Sequence, residues 1–377
     1  MLKDIYSAPR TVMTQVELNA VMASHDKYLA VRGGTRAQFN LRSLDGLNLA
    51  NRNLSEADFS GASLVNATLY GSNLTRSNFY CADLRGSNLR CANLSHADLR
   101  GASFRGASLS SAMLDNADLR AAVMMFVRPG GDRVMVMDHS KGAKDTGQTL
   151  GVDFSNCSMK NISLGNAKLN GANFSGAILH GANFKGAQLP NVNLDGAILT
   201  GVSMSDLMVP PAALKGCITD VSPESIERAT TLKAKIDAHR LWIGSDGKRG
   251  EAANLDGEDL RPLLQFFAKL PLTALSARNA NAIGVNFSGC QLQAARFDGA
   301  DLRDADFADA DLRGASFAGA KLSHARFDRA DMTALVLANG NKLAPNLSAA
   351  VTTEEQFLNA KVDGPMSALG LAVEGAA

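Results

Sequence analysis

Side chains that could act as nucleophiles, general bases or metal ligands are scattered along this chain of 377 residues. It contains six histidines and five cysteines, namely Cys81, Cys91, Cys157, Cys217 and Cys290. A catalytic nucleophile needs a neighbouring base, and a structural zinc site needs closely spaced cysteine and histidine ligands. No such spacing joins these residues, so the sequence predicts neither an enzyme nor a cofactor or metal site. The odd number of cysteines favours free thiols in a reducing compartment over a disulfide framework.

Residues 142–149, GAKDTGQT, partly match the pattern of a phosphate-binding loop. They follow G-x-x-x-x-G-K-[ST], except that Gln148 stands where a lysine would contact the phosphates. Such a loop opens a helix, and no helical pattern follows here. We therefore do not expect this segment to bind a nucleotide.

A basic and partly aromatic set of residues could instead contact phosphate or an acidic protein surface. Counting in steps of twenty residues groups these side chains into rows, such as the row of Tyr80, Arg100 and Arg120. Three of the arginines each follow an aspartate by two residues. The negative charges of these aspartates, Asp83, Asp98 and Asp118, offset the positive charges of the arginines. We favour a solvated, self-compensated surface over an anion site. The candidate interaction surface comprises Tyr80, Arg85, Arg90, Arg100, Arg105, Arg120, Arg128 and Asp132.

The overall charge points to neither a nucleic-acid binder nor an acidic mimic of nucleic acid. The chain has 38 basic and 37 acidic residues, a formal charge of +1, whereas both of those classes need a strong field of one sign. A second cluster is acidic, and the positive charges of Arg303 and Arg313 oppose its negative charge. A basic tract and an acidic tract in one molecule would permit head-to-tail self-association. The acidic cluster consists of Asp298, Asp301, Asp304, Asp306, Asp309 and Asp311.

A five-residue repeat must position all of these side chains. A large apolar residue, here called the central residue, recurs at every fifth position from Phe39 to Met124, from Phe154 to Met204 and from Phe287 to Leu337, and all forty are Leu, Phe or Met. The residue two positions earlier is usually Ala, and the residue between them is usually Asp or Asn. In an extended segment, the Ala and the central residue face one side, and the Asp or Asn faces the other.

The other two residues of each repeat must turn the chain, and Gly, Ser and Asn are common there. Phenylalanines lie twenty residues apart at Phe39, Phe59 and Phe79, and ten apart from Phe287 to Phe327. Rings on successive coils would stack if four pentapeptides completed one coil. The sequence thus predicts a mainly β structure of square section, with coils ~4.8 Å apart. Leu and Phe would fill its interior and leave no room for a ligand.

The A(D/N)Lxx pattern of these three blocks resembles the pentapeptide-repeat family. The resemblance implies a right-handed quadrilateral β-helix, which is a solenoid. It also implies a binding scaffold without known catalysis, in a family that includes bacterial effectors and DNA mimics that bind DNA gyrase.

Two amphipathic helices precede the repeats and divide the chain into two columns. Residues 14–31 begin with a capping box of Thr14 and Glu17, and residues 222–243 begin with Ser222 and Pro223. The segments SHDKYL and AHRLWI occupy equivalent places in these helices, which indicates an internal duplication. We expect structural capping roles, rather than a paired functional site, for four residues of their packed faces, namely His25, Tyr28, His239 and Trp242.

The predicted N-terminal domain, residues 1–215, joins the first helix to repeats 37–125 and 152–206. Its insert at 126–150 is predicted as a β-hairpin around residues 129–132 and a polar loop, which together form a protruding contact arm. In the first coil, Arg42 and Arg52 occupy positions that should face inward. We therefore expect that coil to be distorted, open to solvent or paired with the covering helix.

The predicted C-terminal domain, residues 216–377, joins helix 222–243 to repeats 253–260 and 283–338. A short helix over 261–271 would interrupt these repeats, with Leu263, Phe266, Phe267 and Leu270 on one face. Another short helix beginning at Thr352 would seal the far end, followed by the C-terminal tail.

We therefore expect a non-catalytic scaffold that presents rigid faces and the arm to a protein partner. Mimicry of DNA toward DNA gyrase is the alternative that the resemblance implies. Binding of nucleic acid or another polyanion through the arginines is the alternative from a different class. The sequence has no signal-peptide core at its start and no run of eighteen apolar residues, so we expect a cytoplasmic protein without a membrane span. Partner identity and oligomeric state are left open.

Overall fold

The computed structural model describes residues 10–122, 151–365 and 369–370, together with the backbone of residues 124–127 and 133–137. The chain forms two compact units, Met1–Asp220 and Val221–Ala377. Each unit has one hydrophobic core, and the described secondary structure is dominated by short, separate β-bridges.

Backbone pairing between residues twenty positions apart builds each unit. Parallel bridges join Asn48 to Thr68, Thr68 to Asn88 and Asn88 to Ser108. The N–H groups of most central residues donate to a carbonyl group of the next coil, as from Leu49 to Thr68 at 2.7 Å. Four pentapeptides therefore complete one coil, as the phenylalanine spacing predicts, and the fold is of the β-helix type.

The central side chains fill the interior. Rings twenty residues apart stack, with centroids 4.6 Å apart for Phe59 and Phe79 and 5.1 Å apart for Phe287 and Phe307. Rings ten residues apart meet edge to face across the coil, as Phe297 and Phe307 do at 5.7 Å. All five rings are fully buried. Burial of one such side chain stabilises the folded state by about 1.5–3 kcal/mol before the entropy cost of ordering it.

An aspartate or asparagine before the central residue holds the corner that follows. The Oδ1 atom of Asp58 accepts the backbone N–H of Ser60 at 2.9 Å, and that of Asn183 accepts the N–H of Lys185 at 3.0 Å. Asp and Asn are common at this position because their side chains form such turns. Two residues after the central residue the backbone is left-handed, with φ of 66° at Gly86. Glycine adopts that conformation without a steric penalty.

Helix α1 (Gln15–Leu29) and helix α2 (Pro223–Gly244) begin where the sequence predicts. Thr14 and Glu17 form a capping box, and the Ser222 hydroxyl accepts the N–H of Ser225. Each helix packs on the core of its own unit, α1 through Leu18 and Met22 and α2 through Leu232 and Ile236.

The first coil of the N-terminal unit lies against α1. Its central residues Phe39 and Leu44 are fully buried, whereas Arg42 and Arg52 are exposed. The Arg52 guanidinium donates to Asn19 of α1 at 3.3 Å. Of the three outcomes expected for this coil, the structure thus has both exposure to solvent and pairing with the helix.

A few pairs of strands extend beyond single bridges. Strands β1 (Thr11–Val12) and β2 (Arg42–Ser43) are parallel, as are β5 (Asp331–Met332) and β8 (Lys361–Val362). Strands β3 (Met124–Val127) and β4 (Arg133–Met137) are antiparallel, as are β6 (Leu335–Val336) and β7 (Lys342–Leu343). The 3-10 helices are Pro211–Leu214, Arg261–Leu263 and Glu354–Phe357.

Two predicted central residues of the N-terminal unit lie outside the coils. Met124 belongs to β3, and the coils resume at Asp153, which pairs with Ser108. Met204 is 42 % exposed, whereas Leu207 is buried. A methionine at every fifth position fits the sequence pattern whether it lies in a coil or outside one. Periodicity alone therefore cannot distinguish a coil residue from a residue that lies outside the coils. The predicted polar loop after β4 lies outside the described residues.

The short helix predicted over residues 261–271 is wrong. Only Arg261–Leu263 are helical, and Phe267 takes the next central position, where it is fully buried. Asp259 pairs with Asn281, so this coil holds two residues more than the twenty of a regular coil. The apolar side chains that resembled a helical stripe therefore belong to an elongated repeat.

Repeats also run through residues 272–282, which the sequence analysis left out. The N–H of Ala277 donates to Arg296 at 2.8 Å, and that of Ala282 donates to Asp301 at 2.8 Å, in the manner of other central residues. Ala at these positions hid the pattern. Leu275, two residues before Ala277, is fully buried and supplies volume that Ala277 lacks.

The last predicted central residue, Leu337, is 39 % exposed and lies in the turn between β6 and β7. The coils resume after this hairpin, where Ser316 pairs with Asn346. The helix predicted from Thr352 is a 3-10 helix within the final coil. The ring of Phe357 packs against that of Phe327, with the two ring centroids 4.6 Å apart.

Exchanging the residues at 275 and 277 tests the assignment of Ala277 as a central residue. Ala277→Leu alone overfills the coil beside Leu275 and should lower the free energy of unfolding by about 1–3 kcal/mol. Adding Leu275→Ala restores the usual order of a small and then a large residue and should recover most of that loss. Chemical denaturation of the two variants measures both effects. A double variant as unstable as the single one would contradict the assignment.

Candidate interaction surface

Three arginines of the candidate interaction surface are paired with the aspartate two residues before them. In the pair of Asp98 and Arg100, Oδ1 accepts the arginine backbone N–H at 3.2 Å and its Nε–H at 2.9 Å. Oδ2 accepts the Nη2–H at 2.6 Å. The carboxylate thus forms the corner turn and holds the guanidinium in a bidentate pair. Asp83 with Arg85 and Asp118 with Arg120 repeat this arrangement.

The same triplet, Asp-Leu-Arg, forms the same pair in the C-terminal unit. The Oδ2 to Nη2 distance is 2.8 Å for Asp259 and Arg261 and 2.7 Å for Asp311 and Arg313. Asp301 holds Arg303 at 2.6 Å, and that guanidinium is almost completely buried. From the sequence, Arg303 and Arg313 are expected to balance the acidic cluster, but the two-residue pairing of aspartate and arginine is predicted only in the N-terminal unit. The triplet itself was the signal that would have found the other pairs.

Tyr80, Arg100 and Arg120 form one row across successive coils. The Arg100 guanidinium lies 5.3 Å from the centre of the Tyr80 ring, within the range of a cation–π contact. Its Nε also lies 3.8 Å from Asp118 of the next coil. Partial burial tends to raise the pKa of Asp118, but hydrogen bonds from Arg120 outweigh it and hold that pKa below its usual value. Each charge in this row therefore has an opposite charge beside it.

The other predicted members differ in their surroundings. Arg90 follows Asn88, which accepts its backbone N–H at 3.2 Å, and Arg105 follows Ser103, so neither belongs to an Asp-Leu-Arg triplet. Arg128 and Asp132 lie outside the described residues.

The acidic cluster of the C-terminal unit is matched by arginines. Asp309 pairs with Arg329 at 2.6 Å, and Asp306 pairs with Arg326 at 3.3 Å, in each case across adjacent coils. Asp298 lies 3.4 Å from Arg296. Charges counted along the sequence thus suggested an acidic tract, but the coils place the balancing cations beside it. We therefore do not carry forward the hypothesis of head-to-tail association between acidic and basic tracts.

The four predicted capping residues lie at the start of each unit. The His25 ring stacks on Tyr28 with centroids 5.9 Å apart, and the His239 ring stacks on Trp242 at 5.5 Å. Both histidines are fully buried and accept backbone N–H groups from the first coils. The Tyr28 hydroxyl donates to Glu56 at 3.1 Å.

The buried thiols belong to the core. Cys157 donates its S–H to the Leu109 carbonyl at 2.9 Å, and Cys290 donates to that of Phe267 at 2.8 Å. Burial raises the pKa of Cys290 to about 11. The thiolate is the reactive form, so this cysteine is chemically inert at neutral pH.

Within the part of the chain that the structure describes, no group of histidine, cysteine and acidic side chains is arranged to hold a metal ion. No helix in the described ranges has the length and apolar character needed to cross a membrane.

Comparison with known families and structures adds an independent assignment. The profile of the family described as pentapeptide repeats matches eight copies, in residues 53–90, 87–124, 151–186, 177–207, 272–309 and 295–333. These matches cover half of the chain, and the fifth begins at the coil that the sequence analysis missed. A search of curated protein sequences found no match.

Solved structures similar to this chain include pentapeptide repeat proteins. One, from the thylakoid lumen of Arabidopsis thaliana, is 19 % identical, with a TM-score of 0.23 over 45 % of this chain and 70 % of that one. HetL, involved in heterocyst differentiation regulation in the cyanobacterium Nostoc, is 21 % identical, with a TM-score of 0.18 over 84 % and 96 %. QnrB1, a plasmid-mediated fluoroquinolone resistance protein, is 14 % identical, with a TM-score of 0.21 over 89 % and 95 %.

Removing the negative charge of two aspartates tests whether these aspartates neutralise their arginines. Asp98→Asn with Asp118→Asn keeps the oxygen that forms each corner and removes the charge beside Arg100 and Arg120. This variant should elute from heparin at higher salt than the parent chain, because freed guanidinium groups bind sulfate. Asp58→Asn with Asp153→Asn is the matched control, since these aspartates form corner turns with serine backbones. Equal elution of the two variants, or strong retention of the parent chain, would contradict the neutralisation.

Proposed function

Because this chain belongs to the pentapeptide-repeat family, we propose that it is a non-catalytic scaffold whose outer surface binds a protein partner. The filled interior is the observation that carries this proposal. Central side chains such as Phe59, Phe174 and Phe307 are fully buried and stack ring on ring. A partner must therefore use the outer faces, where rows of side chains repeat at the strand spacing of ~4.8 Å.

The pairing of charges favours a protein over a nucleic acid. A polyanion binder needs arginines that can exchange counterions for phosphates. Arg85, Arg100 and Arg120 are already held by carboxylates at 2.6–2.7 Å. Binding phosphate would require these pairs to break, whereas a protein surface can match an alternation of charges with groups of both signs.

Mimicry of DNA toward DNA gyrase is less well supported. A mimic of the phosphate backbone needs rows of acidic groups without basic neighbours. In the acidic cluster, Asp306, Asp309 and Asp311 each pair with an arginine. We therefore do not propose gyrase as the partner.

We place the contact on the row of Tyr80, Arg100 and Arg120 and on the neighbouring Arg85. The three arginine side chains are 41–54 % exposed, and the bidentate pairs orient their guanidinium groups. Side chains that are already ordered lose little entropy on binding, which favours affinity.

We also propose a right-handed, quadrilateral coil with two domains, each capped by its helix. Parallel strands joined by a crossover are right-handed in nearly all proteins, and four pentapeptides per coil fit four sides. The helices are the proposed caps because both pack on a first coil through buried side chains. The S–H donors of Cys157 and Cys290 are consistent with reduced thiols and hence with a cytoplasmic location.

Quantitative affinity capture from the native host tests the proposed surface. Arg100→Ser with Arg120→Ser should reduce recovery of a specific protein at least tenfold, because the centre of the contact is lost. Arg278→Ser with Arg313→Ser is the matched control, since it removes two partly exposed arginines of the C-terminal unit from ion pairs of 2.6 and 2.7 Å, one with Asp256 of the preceding coil and one with Asp311.

The captured protein should then bind the purified parent chain and the control variant with similar affinity in calorimetry, and the surface variant more weakly. Recovery of nucleic acid instead of protein would contradict the proposal. So would equal binding of the protein to all three forms.

A further inference from the structure

Two buried histidines occupy equivalent positions at the starts of the two units. The side chains of His25 and His239 have no exposed surface. Each Nδ1 accepts a backbone N–H from the first coil, that of Ala37 at 3.1 Å and that of Ala253 at 3.0 Å. Both alanines lie two residues before the first central residue of their unit. The arrangement occurs twice in one chain, so it is not an accident of one helix.

This hydrogen bond fixes the protonation state of each ring. An imidazole whose Nδ1 accepts a hydrogen bond is neutral and carries its proton on Nε2. The Nε2 atoms of both rings are buried and make no hydrogen bond. The Ser55 carbonyl faces the His25 ring, and the carbonyls of Leu272 and Thr273 face the His239 ring. Each ring therefore lies between the start of the first coil and a segment nearly one coil further along.

The surroundings oppose a charged ring. Burial is the largest influence and lowers the pKa of both histidines. Around His25, Asp26 of α1 and Glu56 of the first coil favour the protonated form, and Arg36 of the connecting segment opposes it. Around His239, the carbonyls of the first coil favour the protonated form.

We propose that protonation of His25 and His239 releases α1 and α2 from the first coils, so that each unit has an end that opens in acid. A proton on Nδ1 would set two donors against each other at the present distance and would bury a positive charge. Release of the helix relieves both penalties. It also frees the N–H of Ala37 or Ala253 and exposes a strand edge that can pair with another chain.

The direction of the pH effect follows from linkage. A group whose pKa is lowered in the closed state binds fewer protons there than in the open state. Closure is therefore strongest above the ordinary histidine pKa of about 6.5 and weakens as the pH falls toward the lowered value. In the inner coils, amides such as those of Leu69 and Phe307 donate to backbone carbonyls, which do not titrate, so the ends should open before the coils unfold.

Hydrogen exchange of the full chain at about pH 7.5 and about pH 5 tests the proposal, with protection factors corrected for the intrinsic exchange rate. The amides of Ala37 and Ala253 should lose protection at the lower pH, whereas those of Leu69 and Phe307 should keep it. The loss reaches about tenfold for each unit by which the histidine pKa is lowered.

Two single variants give internal controls. In His25→Gln, the side-chain oxygen can accept the Ala37 N–H but cannot titrate. This variant should lose the pH response at Ala37 and keep it at Ala253, and His239→Gln should do the reverse. An unchanged response at Ala37 in His25→Gln, or equal protection of the parent chain at both pH values, would overturn the proposal.

If a glutamine variant fails to fold, nuclear magnetic resonance titration of the parent chain decides. Both rings should titrate below about pH 6.5, together with loss of protection at Ala37 and Ala253. A ring that titrates at or above that value would overturn the proposal.

Discussion

Backbone hydrogen bonds between residues twenty positions apart are the constraint on which the rest of the structure depends. They fix the direction of every side chain, so that Phe59 and Phe79 stack inside while Asp58 and Asn78 face outward. They also dictate how insertions are accommodated. Long insertions leave the coil as a hairpin, such as β6–β7, and pairing resumes in register on the far side, whereas the two extra residues before Phe267 stay within an elongated repeat. The same bonds leave an open strand edge at each end of a unit, which explains why both units begin with a packed helix.

The corner turn links the fold to the character of the surface. An aspartate before the central residue accepts the next-but-one N–H, and an arginine at that position adds two charge-assisted bonds to the same carboxylate, as Asp98 and Arg100 do. The local geometry that turns the chain therefore also neutralises its charge. A surface built in this way is polar and ordered without a strong field, which suits a protein partner better than a polyanion.

The sequence predicts the coil well because its signal is redundant. Interior residues, the phenylalanine stacks and both helix starts follow from the five-residue period and from capping residues. The prediction of the repeats fails where it depends on the identity of a single residue at the central position. Ala277 and Ala282 hid two repeats, while Met124 and Leu337 kept the period inside hairpins. Ion pairs across coils, such as Asp309 with Arg329, depend on register and cannot be found by counting charges. The histidine contacts with Ala37 and Ala253 likewise join segments whose separation differs between the two units.

Disulfide mapping tests the twenty-residue coil most directly. In adjacent parallel strands, paired Cα atoms lie ~4.8 Å apart, within the range of about 4.4–6.8 Å that a disulfide spans. Ser155→Cys with Ser175→Cys places two thiols on neighbouring coils of one face, and Ser155→Cys with His180→Cys moves the second thiol to the next face. The account predicts that mild oxidation and peptide mass spectrometry will find a cross-link between positions 155 and 175 and none between 155 and 180. A cross-link confined to the second variant would contradict a coil of four pentapeptides.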